Sequence, residues 1–112
     1  MIVVTTPDIA GRRITHTLGY VKGNTIRARH FGKDIIALLK GLVGGEIEEY
    51  TKMIAEAREQ AMDRMLEDAR SVGADSIVAT RFATTEVMKS AAEVLVYGTA
   101  VVTEPLPEEP PH

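Results

Sequence analysis

The clearest pattern in this chain is an apolar stripe with helical spacing over residues 46–72. Apolar residues recur there at steps of three and four, as one face of a helix requires. The stripe consists of Ile47, Tyr50, Ile54, Ala57, Ala61, Met65, Ala69 and Val72. Acidic residues fill the first turn, and Gly73 is placed to end the helix in a left-handed conformation. The spacing predicts one long amphipathic helix whose alanines allow close packing on another layer.

Segments rich in β-branched residues predict the strands of a sheet. They are 2–5, 14–28, 76–87 and 92–102. The second segment contains Gly19 and Gly23, so we expect an extended strand or bent hairpin in which these glycines mark a bulge or turn. Pro7 ends the first segment, and a short loop joins the last two. The pattern predicts an α+β fold with an antiparallel sheet packed on the long helix.

A shorter apolar pattern precedes the long helix. Residues 31–42 predict a short helix that ends in a cluster of glycines. The last nine residues, 104–112, are rich in proline and glutamate, and we expect them to be disordered or extended. A chain of 112 residues is too short for a second independent core. We therefore expect one domain over residues 1–103, followed by a tail.

The last predicted strand is apolar on both faces. Val94, Val96, Ala100 and Val102 alternate with Leu95, Tyr97 and Val101. Such a strand requires burial on both sides of its sheet. One long helix and one short helix cannot cover both sides of a four-stranded sheet. A second copy of the chain is the simplest cover, so we expect a homo-oligomer.

Composition removes several classes of chemistry. The chain has no cysteine, which excludes disulfides, thiolate nucleophiles and thiolate metal sites. No serine lies in a nucleophile elbow, and the glycine-rich run before the long helix lacks the lysine of a phosphate-binding loop. No basic segment precedes the apolar residues 1–4, and no apolar run is long enough to cross a bilayer. We expect a non-enzymatic cytoplasmic protein with no membrane partner.

The charges are divided unevenly along the chain. Residues 1–45 hold seven Lys or Arg and two Asp or Glu, a net +5, whereas residues 46–112 hold six and fourteen, a net −8. The two halves can neutralise each other within the fold or between subunits. A basic face for nucleic acid is disfavoured, because no aromatic residues are interleaved with the basic ones.

Two groups of side chains are candidates for a divalent metal ion. Glu59, Asp63 and Glu67 are spaced four apart, which places three carboxylates along one line of the helix. Like charges at this spacing repel by about 0.2–0.5 kcal/mol per pair, and a hard cation would relieve that repulsion. His30 and Asp34 have the i, i+4 spacing of two ligands on a helix. The alternatives are a solvated column neutralised by nearby arginines, and a surface or capping histidine.

A basic patch is the candidate site for an anion. Its densest part consists of Arg27, Arg29, His30 and Lys33, and Arg81 is a further candidate from a later strand. These side chains could bind a small anion, or the site of an enzyme could lie there between subunits. The simpler explanation pairs the patch with the acidic half of the same or a neighbouring subunit.

Several short segments together carry a family pattern. They are 44–50 (GGEIEEY), 57–61 (AREQA), 69–74 (ARSVGA) and 97–101 (YGTAV), with 5–7 (TTP) and 18–21 (LGYV) upstream. Through them, residues 1–102 resemble the YbjQ-like family, which is described as heavy-metal-binding. The resemblance implies a dodecin-subunit-like α+β fold, with extra short strands that promote assembly into a homopentameric ring.

The chain also departs from that family's pattern. Glu46 and Ile47 stand where relatives often carry Arg-Ser after the glycine pair. Without cysteine, thiolate-based binding of a heavy metal cannot operate here. We therefore expect a homo-oligomeric binding or scaffold protein, a pentamer by resemblance, with a divalent metal ion as the first ligand to test. The alternative is a small-anion binder or an enzyme with a site between subunits.

Overall fold

A computed structural model describes residues 1–28, 44–88 and 91–107, with side chains described over 1–26, 52–86 and 92–107. The elements are β1 (Ile2–Val3), β2 (Arg12–Ala28), α1 (Gly44–Ser71), β3 (Ser76–Met88) and β4 (Ala91–Pro105). The predicted short helix over 31–42 lies outside the described residues. The α+β class and the long helix are confirmed.

The four strands form one sheet in the order β1-β3-β4-β2. The central strand β4 pairs antiparallel with both β2 and β3, whereas β1 pairs parallel with β3. The sheet is therefore mixed, and the prediction of an antiparallel sheet is wrong at β1. The chain passes from β1 at one edge to β2 at the other, so no hairpin joins these two strands. A two-residue strand gives no sequence signal of its partner.

Strand β2 is continuous rather than a bent hairpin. Its register against β4 shifts between Ile14 and His16 and again between Thr17 and Gly19, and Gly19 has φ +108°. The predicted bulge is therefore confirmed at Gly19, where a left-handed backbone favours glycine. Gly23 lies in regular register opposite Val96 instead, so the prediction of a turn or bulge there is wrong.

Gly23 is where the helix approaches the sheet most closely. A Cβ atom at this position would collide with the carbonyl oxygen of Ala61 and the backbone nitrogen of Met65. Both obstacles are helix backbone, which cannot move without moving α1. The missing side chain of Gly23 and the small side chain of Ala61 therefore set the distance between the two layers.

The apolar stripe of α1 forms the centre of the core. Ala57, Ala61, Met65 and Ala69 are buried, with Met65 at 0% exposure. Their partners on the sheet are Val21, Ile77, Val94, Val96 and Ala100. The prediction of a buried stripe is wrong at Val72, which is 47% exposed because the helix ends one residue earlier.

The helix ends in a Schellman motif, as the glycine at 73 predicts. Gly73 has φ +83°. The N–H of Ala74 donates to the carbonyl of Ala69 at 3.1 Å, and the N–H of Gly73 donates to Arg70 at 3.1 Å. This turn directs the chain straight into β3.

The ladder of β4 continues beyond the predicted domain boundary. Glu104 pairs with Arg13, Pro105 pairs with Arg12, and the N–H of Leu106 donates to the carbonyl of Gly11 at 3.0 Å. The first residues of the predicted tail thus belong to the sheet. Residues 108–112 lie outside the described residues.

Candidate functional site

The predicted carboxylate column lies on the solvent side of α1. Glu59, Asp63 and Glu67 are all exposed. Within the described ranges, no three His, Cys, Asp or Glu side chains converge as a metal site would require. His30 and Asp34 lie outside those ranges. Metal binding by these five residues stays a prediction, and for the column it requires further ligands from elsewhere.

The predicted basic patch is described only in part. Arg27 lies in β2 opposite Ala92, but its side chain is outside the described set, as are Arg29 and Lys33. Arg81 lies in β3, and its Nη1 donates to the backbone oxygens of Thr5 and Thr80 at 2.8 Å each. The guanidinium of Arg81 is therefore held in place at the edge of the sheet. Arg81 is the only residue of the predicted patch whose side chain the structure describes.

The register of the sheet assembles a row of polar and aromatic side chains that the linear sequence does not show. Val21 and Gly23 of β2, and Val96 and Gly98 of β4, are buried on the helix side. Because neighbours along a strand alternate in direction, Lys22 and Tyr97 face the opposite side, here called the outer face. The side of the sheet on which α1 packs is called the helix face.

Tyr97 lies between two cations on this outer face. It pairs with Lys22 on β2 and with Arg81 on β3. Directly opposite residues in an antiparallel pair have Cβ atoms about 4.5–5.5 Å apart. The three side chains therefore form a row across three strands, which we call the Lys22–Tyr97–Arg81 row.

Tyr20 extends this row. It pairs with Thr99, two residues from Tyr97 along β4, so the two tyrosines are diagonal neighbours with Cβ atoms about 7–8 Å apart or less. Tyr20 is 74% exposed and Tyr97 41% exposed. Farther along the outer face, the amide of Asn24 donates to the Glu93 carboxylate at 3.1 Å, so this acidic group is already engaged.

A polar network around Asp75 lies at the other end of the outer face. The backbone N–H of Thr103 donates to both carboxylate oxygens of Asp75, at 3.1 and 3.0 Å, and the Thr103 hydroxyl donates at 3.1 Å. The Nε of Arg12 in turn donates to that hydroxyl at 2.7 Å. Val78 and Val101 are buried at this end, so part of the second apolar face of β4 is covered within one subunit.

This network shifts the ionisation of Asp75. Burial alone would raise the pKa of the Asp75 carboxyl, but the hydrogen bonds from Thr103 and the nearby charge of Arg12 outweigh burial and lower it. The Ser76 hydroxyl is close enough to lower the pKa further, although it has no hydrogen bond of ordinary geometry within the described residues. We assign this network a structural role, because its groups satisfy one another.

The two strands that flank β4 differ in how they are protected. The Lys22 N–H donates to Asp68 of α1 at 3.2 Å, and the Asn24 carbonyl accepts from Arg64 at 2.6 Å. Helix side chains thus occupy backbone groups of β2. Strand β3 pairs with β1 and residues 4–6 only as far as Thr80. Beyond Arg81, no described strand pairs with its outer edge.

Phe82 marks the uncovered part of β3. It pairs with the buried Val96 and therefore lies on the helix face, yet it is 48% exposed. The reason is that α1 packs on β2 and β4 rather than over this part of β3. Neither Phe82 nor the Lys22–Tyr97–Arg81 row could be predicted from the sequence, because each depends on which strands are neighbours.

The described helix lacks the length of apolar sequence that a membrane crossing requires.

In comparisons with known proteins, residues 1–104 match the YbjQ-like family, described as "Putative heavy-metal-binding". A UPF0145 protein of Dehalococcoides mccartyi is 56% identical over 104 residues, which cover 93% of this chain and 100% of that protein. A UPF0145 protein of Methanosarcina acetivorans is 57% identical over 101 residues, which cover 90% and 95%.

A solved structure shows the same fold. It is the crystal structure of a protein with unknown function from Pediococcus pentosaceus, assigned to the DUF74 family. Its TM-score to this chain is 0.61 at 19% identity, and the match covers 93% of this chain and 98% of that one. At this identity the likeness concerns the fold alone.

Proposed function

The chain belongs to the YbjQ-like family, and we propose that it is a non-enzymatic homo-oligomer that assembles along β3 and binds a divalent metal ion. The observation that carries the proposal is the incomplete covering of β3 beyond Arg81. Among the described residues, this stretch has no strand on its outer edge, and the helix leaves Phe82 half exposed.

An exposed strand edge favours pairing with another chain. Its unpaired N–H and C=O groups form a template for a further strand, and proteins usually protect such edges. Strand β2 is protected by the bulges near Gly19 and by Asp68 and Arg64. The absence of comparable devices on the described part of β3 supports assembly at this edge.

The dimensions of the subunit support the same proposal. The described chain has a radius of gyration of 18.4 Å and extents of 63 × 31 × 15 Å. A compact domain of this length has a radius of gyration of about 13 Å. The least extent admits one helix layer on one sheet layer, and this helix layer leaves Phe82 of β3 half exposed. A ring of five, expected from the family resemblance, would repeat one such interface five times.

Size measurement of two matched variants tests the assembly. Phe82→Ser removes the exposed aromatic of β3, and Ile26→Ser removes an apolar side chain of similar exposure on the outer face of β2. Native mass spectrometry and light scattering should show a homo-oligomer for the wild type and for Ile26→Ser. The Phe82→Ser oligomer should dissociate at a protein concentration at least about tenfold higher than the wild type does. A wild type that is a single subunit at micromolar concentration would refute assembly.

Metal binding is the ligand-binding part of the proposal. The family description and the exposed column of Glu59, Asp63 and Glu67 support it. Carboxylate oxygens suit hard cations, whereas soft heavy metals prefer thiolates, which this chain lacks. We propose that a cation on the column completes its ligands from His30 and Asp34 or from a neighbouring subunit.

A thermal-shift series tests metal binding separately from assembly. Divalent cations should raise the melting temperature, chelator should reverse the rise, and Glu59→Ala/Asp63→Ala should abolish it. Asp8→Ala, which removes an exposed carboxylate of a loop, should leave the rise unchanged. An oligomer whose melting temperature no divalent cation alters would refute metal binding and leave the assembly standing.

A further inference from the structure

We infer that the Lys22–Tyr97–Arg81 row, together with Tyr20, binds a phosphate ester that carries a planar aromatic base, that is, a mononucleotide. The inference uses the outer face of the sheet and is independent of the metal proposal. It also does not require assembly along β3, because Phe82 lies on the opposite face.

The two tyrosines supply stacking surfaces. They are diagonal neighbours on β2 and β4, and both present exposed rings on the outer face. Large aromatic side chains are normally buried for the apolar area they remove from water. A nucleobase stacks on such exposed rings whatever its sequence context, because every base has a π face. Tyr20 and Tyr97 are therefore placed to hold the base.

The two cations supply the charge for a phosphate. Lys22 and Arg81 flank Tyr97 at neighbouring positions of the same row. The Nη1 of Arg81 is anchored on Thr5 and Thr80, so the guanidinium is held before any ligand arrives. A planar guanidinium fixed in this way suits bidentate recognition of phosphate.

The local charge balance favours an anion at this row. The carboxylate of Glu93 on the same face is engaged by Asn24 at 3.1 Å. Asp68 accepts the backbone N–H of Lys22 and lies on α1 at the edge of β2. Among the described side chains, no carboxylate belongs to the row itself, so its two positive charges are available to a ligand.

A single nucleotide fits these features better than a nucleic acid strand. The row offers two stacking rings and two cations, whereas strand-binding proteins carry a charged groove along several nucleotides. The net charge of −3 also opposes a polyanion, because long-range repulsion grows with the number of phosphates. One base and one phosphate group satisfy the row.

Calorimetric titration with AMP, adenosine and inorganic phosphate tests the inference on the intact chain. AMP should bind more tightly than either adenosine or phosphate, since only AMP uses both rings and cations. Tyr97→Leu should weaken AMP binding about tenfold, at the low end of the stacking effect of one base, and Tyr97→Phe should restore it. Lys22→Gln should weaken binding about threefold and reduce its sensitivity to salt.

Two controls isolate the row from general effects. Arg13→Gln removes an exposed cation of β2 that pairs with Glu104 at the other end of the strand, and it should leave AMP affinity unchanged. The chain has no tryptophan and three tyrosines, so AMP should quench tyrosine fluorescence, and Tyr97→Phe should reduce the quenching without reducing affinity.

Three results would overturn the inference. They are an AMP affinity no greater than that of phosphate, an AMP affinity unchanged in Tyr97→Leu, and binding of an oligonucleotide without binding of AMP. Native mass spectrometry of each variant separates these outcomes from a loss of assembly. An oligomer that does not bind AMP contradicts this inference alone.

Discussion

Strands β2 and β3 flank the same central strand but are treated very differently by the rest of the chain. Strand β2 lies under α1, its Gly23 touches helix backbone, and its edge groups are occupied by Asp68 and Arg64. Strand β3 beyond Arg81 has no described strand on its edge and leaves Phe82 exposed on the helix face. The long helix covers β2 but not the part of β3 beyond Arg81. The other strand is where we expect a second subunit.

The largest difference between the two strands should appear when a large apolar side chain is removed from each region. Met65 is fully buried between α1 and the sheet, so Met65→Ala should reduce the free energy of unfolding by about 2–5 kcal/mol. Phe82→Ala should cost the isolated subunit less than about 1 kcal/mol, because its side chain is half exposed. Urea unfolding at low protein concentration measures both. Equal losses would show that β3 is covered within one subunit.

The close approach at Gly23 gives the next largest effect. Gly23→Ala forces the added methyl group into the backbone of α1, and we expect a loss of about 3 kcal/mol, at the upper end for overpacking. Gly11→Ala is the matched control, because Gly11 has φ +78° with open space around its missing side chain. There only the left-handed backbone is disfavoured, by about 1 kcal/mol. Similar losses in the two variants would mean that α1 does not lie as close to β2 as described.

Hydrogen bonds between Asp75 and Thr103 hold the start of β3 against β4. Substitution of Asp75 tests how much they stabilise the fold. Asp75→Asn should reduce stability at pH 7 by about 1–2 kcal/mol, because it weakens hydrogen bonds to a charged group that is only partly buried. The pKa of Asp75 is lowered in the fold, so its stabilising contribution is full above the unfolded value of about 3.9. It is lost as the pH falls through the lower folded pKa.

The measurement is the unfolding free energy of wild type and Asp75→Asn between pH 7 and pH 2. The difference between the two proteins should be constant above about pH 5 and shrink below pH 4. A difference that grows on acidification would reverse the sign of the predicted shift. Asp8→Asn, an exposed loop carboxyl, should show little difference at any pH.

The smallest expected effect concerns the protected edge of β2. Asp68→Ala removes the acceptor of the Lys22 N–H, which should cost about 0.5–1 kcal/mol. It should also make the edge of β2 resemble that of β3, so that larger assemblies form than in the wild type. Glu56→Ala, at another exposed position of α1, should change neither property. Unchanged size in Asp68→Ala would show that this hydrogen bond does not protect the edge.

The parts of the fold that follow from local pattern could be predicted from the sequence. The spacing of Ala57, Ala61, Met65 and Ala69 predicts the buried face of α1, and Gly73 predicts its end. Both depend on residues within a few positions of one another. The bulge at Gly19 is also local, because a positive φ favours glycine whatever lies around it.

The features that require knowledge of neighbouring strands could not be predicted. Gly23 and Gly19 look alike in the sequence, yet one leaves room for helix backbone and the other relaxes a bulge. Strands β1 and β2 are consecutive in the sequence but lie at opposite edges of the sheet. The parallel pairing of β1 with β3 therefore has no local signal. Tyr97 lies between Lys22 and Arg81 only in the register of the sheet, because the three residues belong to three different strands.

The candidate ligand residues could be predicted only as types. The column of Glu59, Asp63 and Glu67 follows from helical spacing, and the structure places all three in solvent. Spacing along one helix does not show which groups from other elements or subunits complete a site. Such information depends on the assembly, which lies beyond the contacts within one chain.

The central claim, that a single subunit is incomplete along β3, is tested most directly by dilution. Sedimentation equilibrium and far-ultraviolet circular dichroism should be recorded on the wild type from about 100 μM to 10 nM subunit. We predict dissociation of a homo-oligomer, with a melting temperature that falls as the concentration falls, because assembly stabilises the folded subunit by mass action. A single subunit that stays folded, with one melting temperature across the whole range, would contradict the claim.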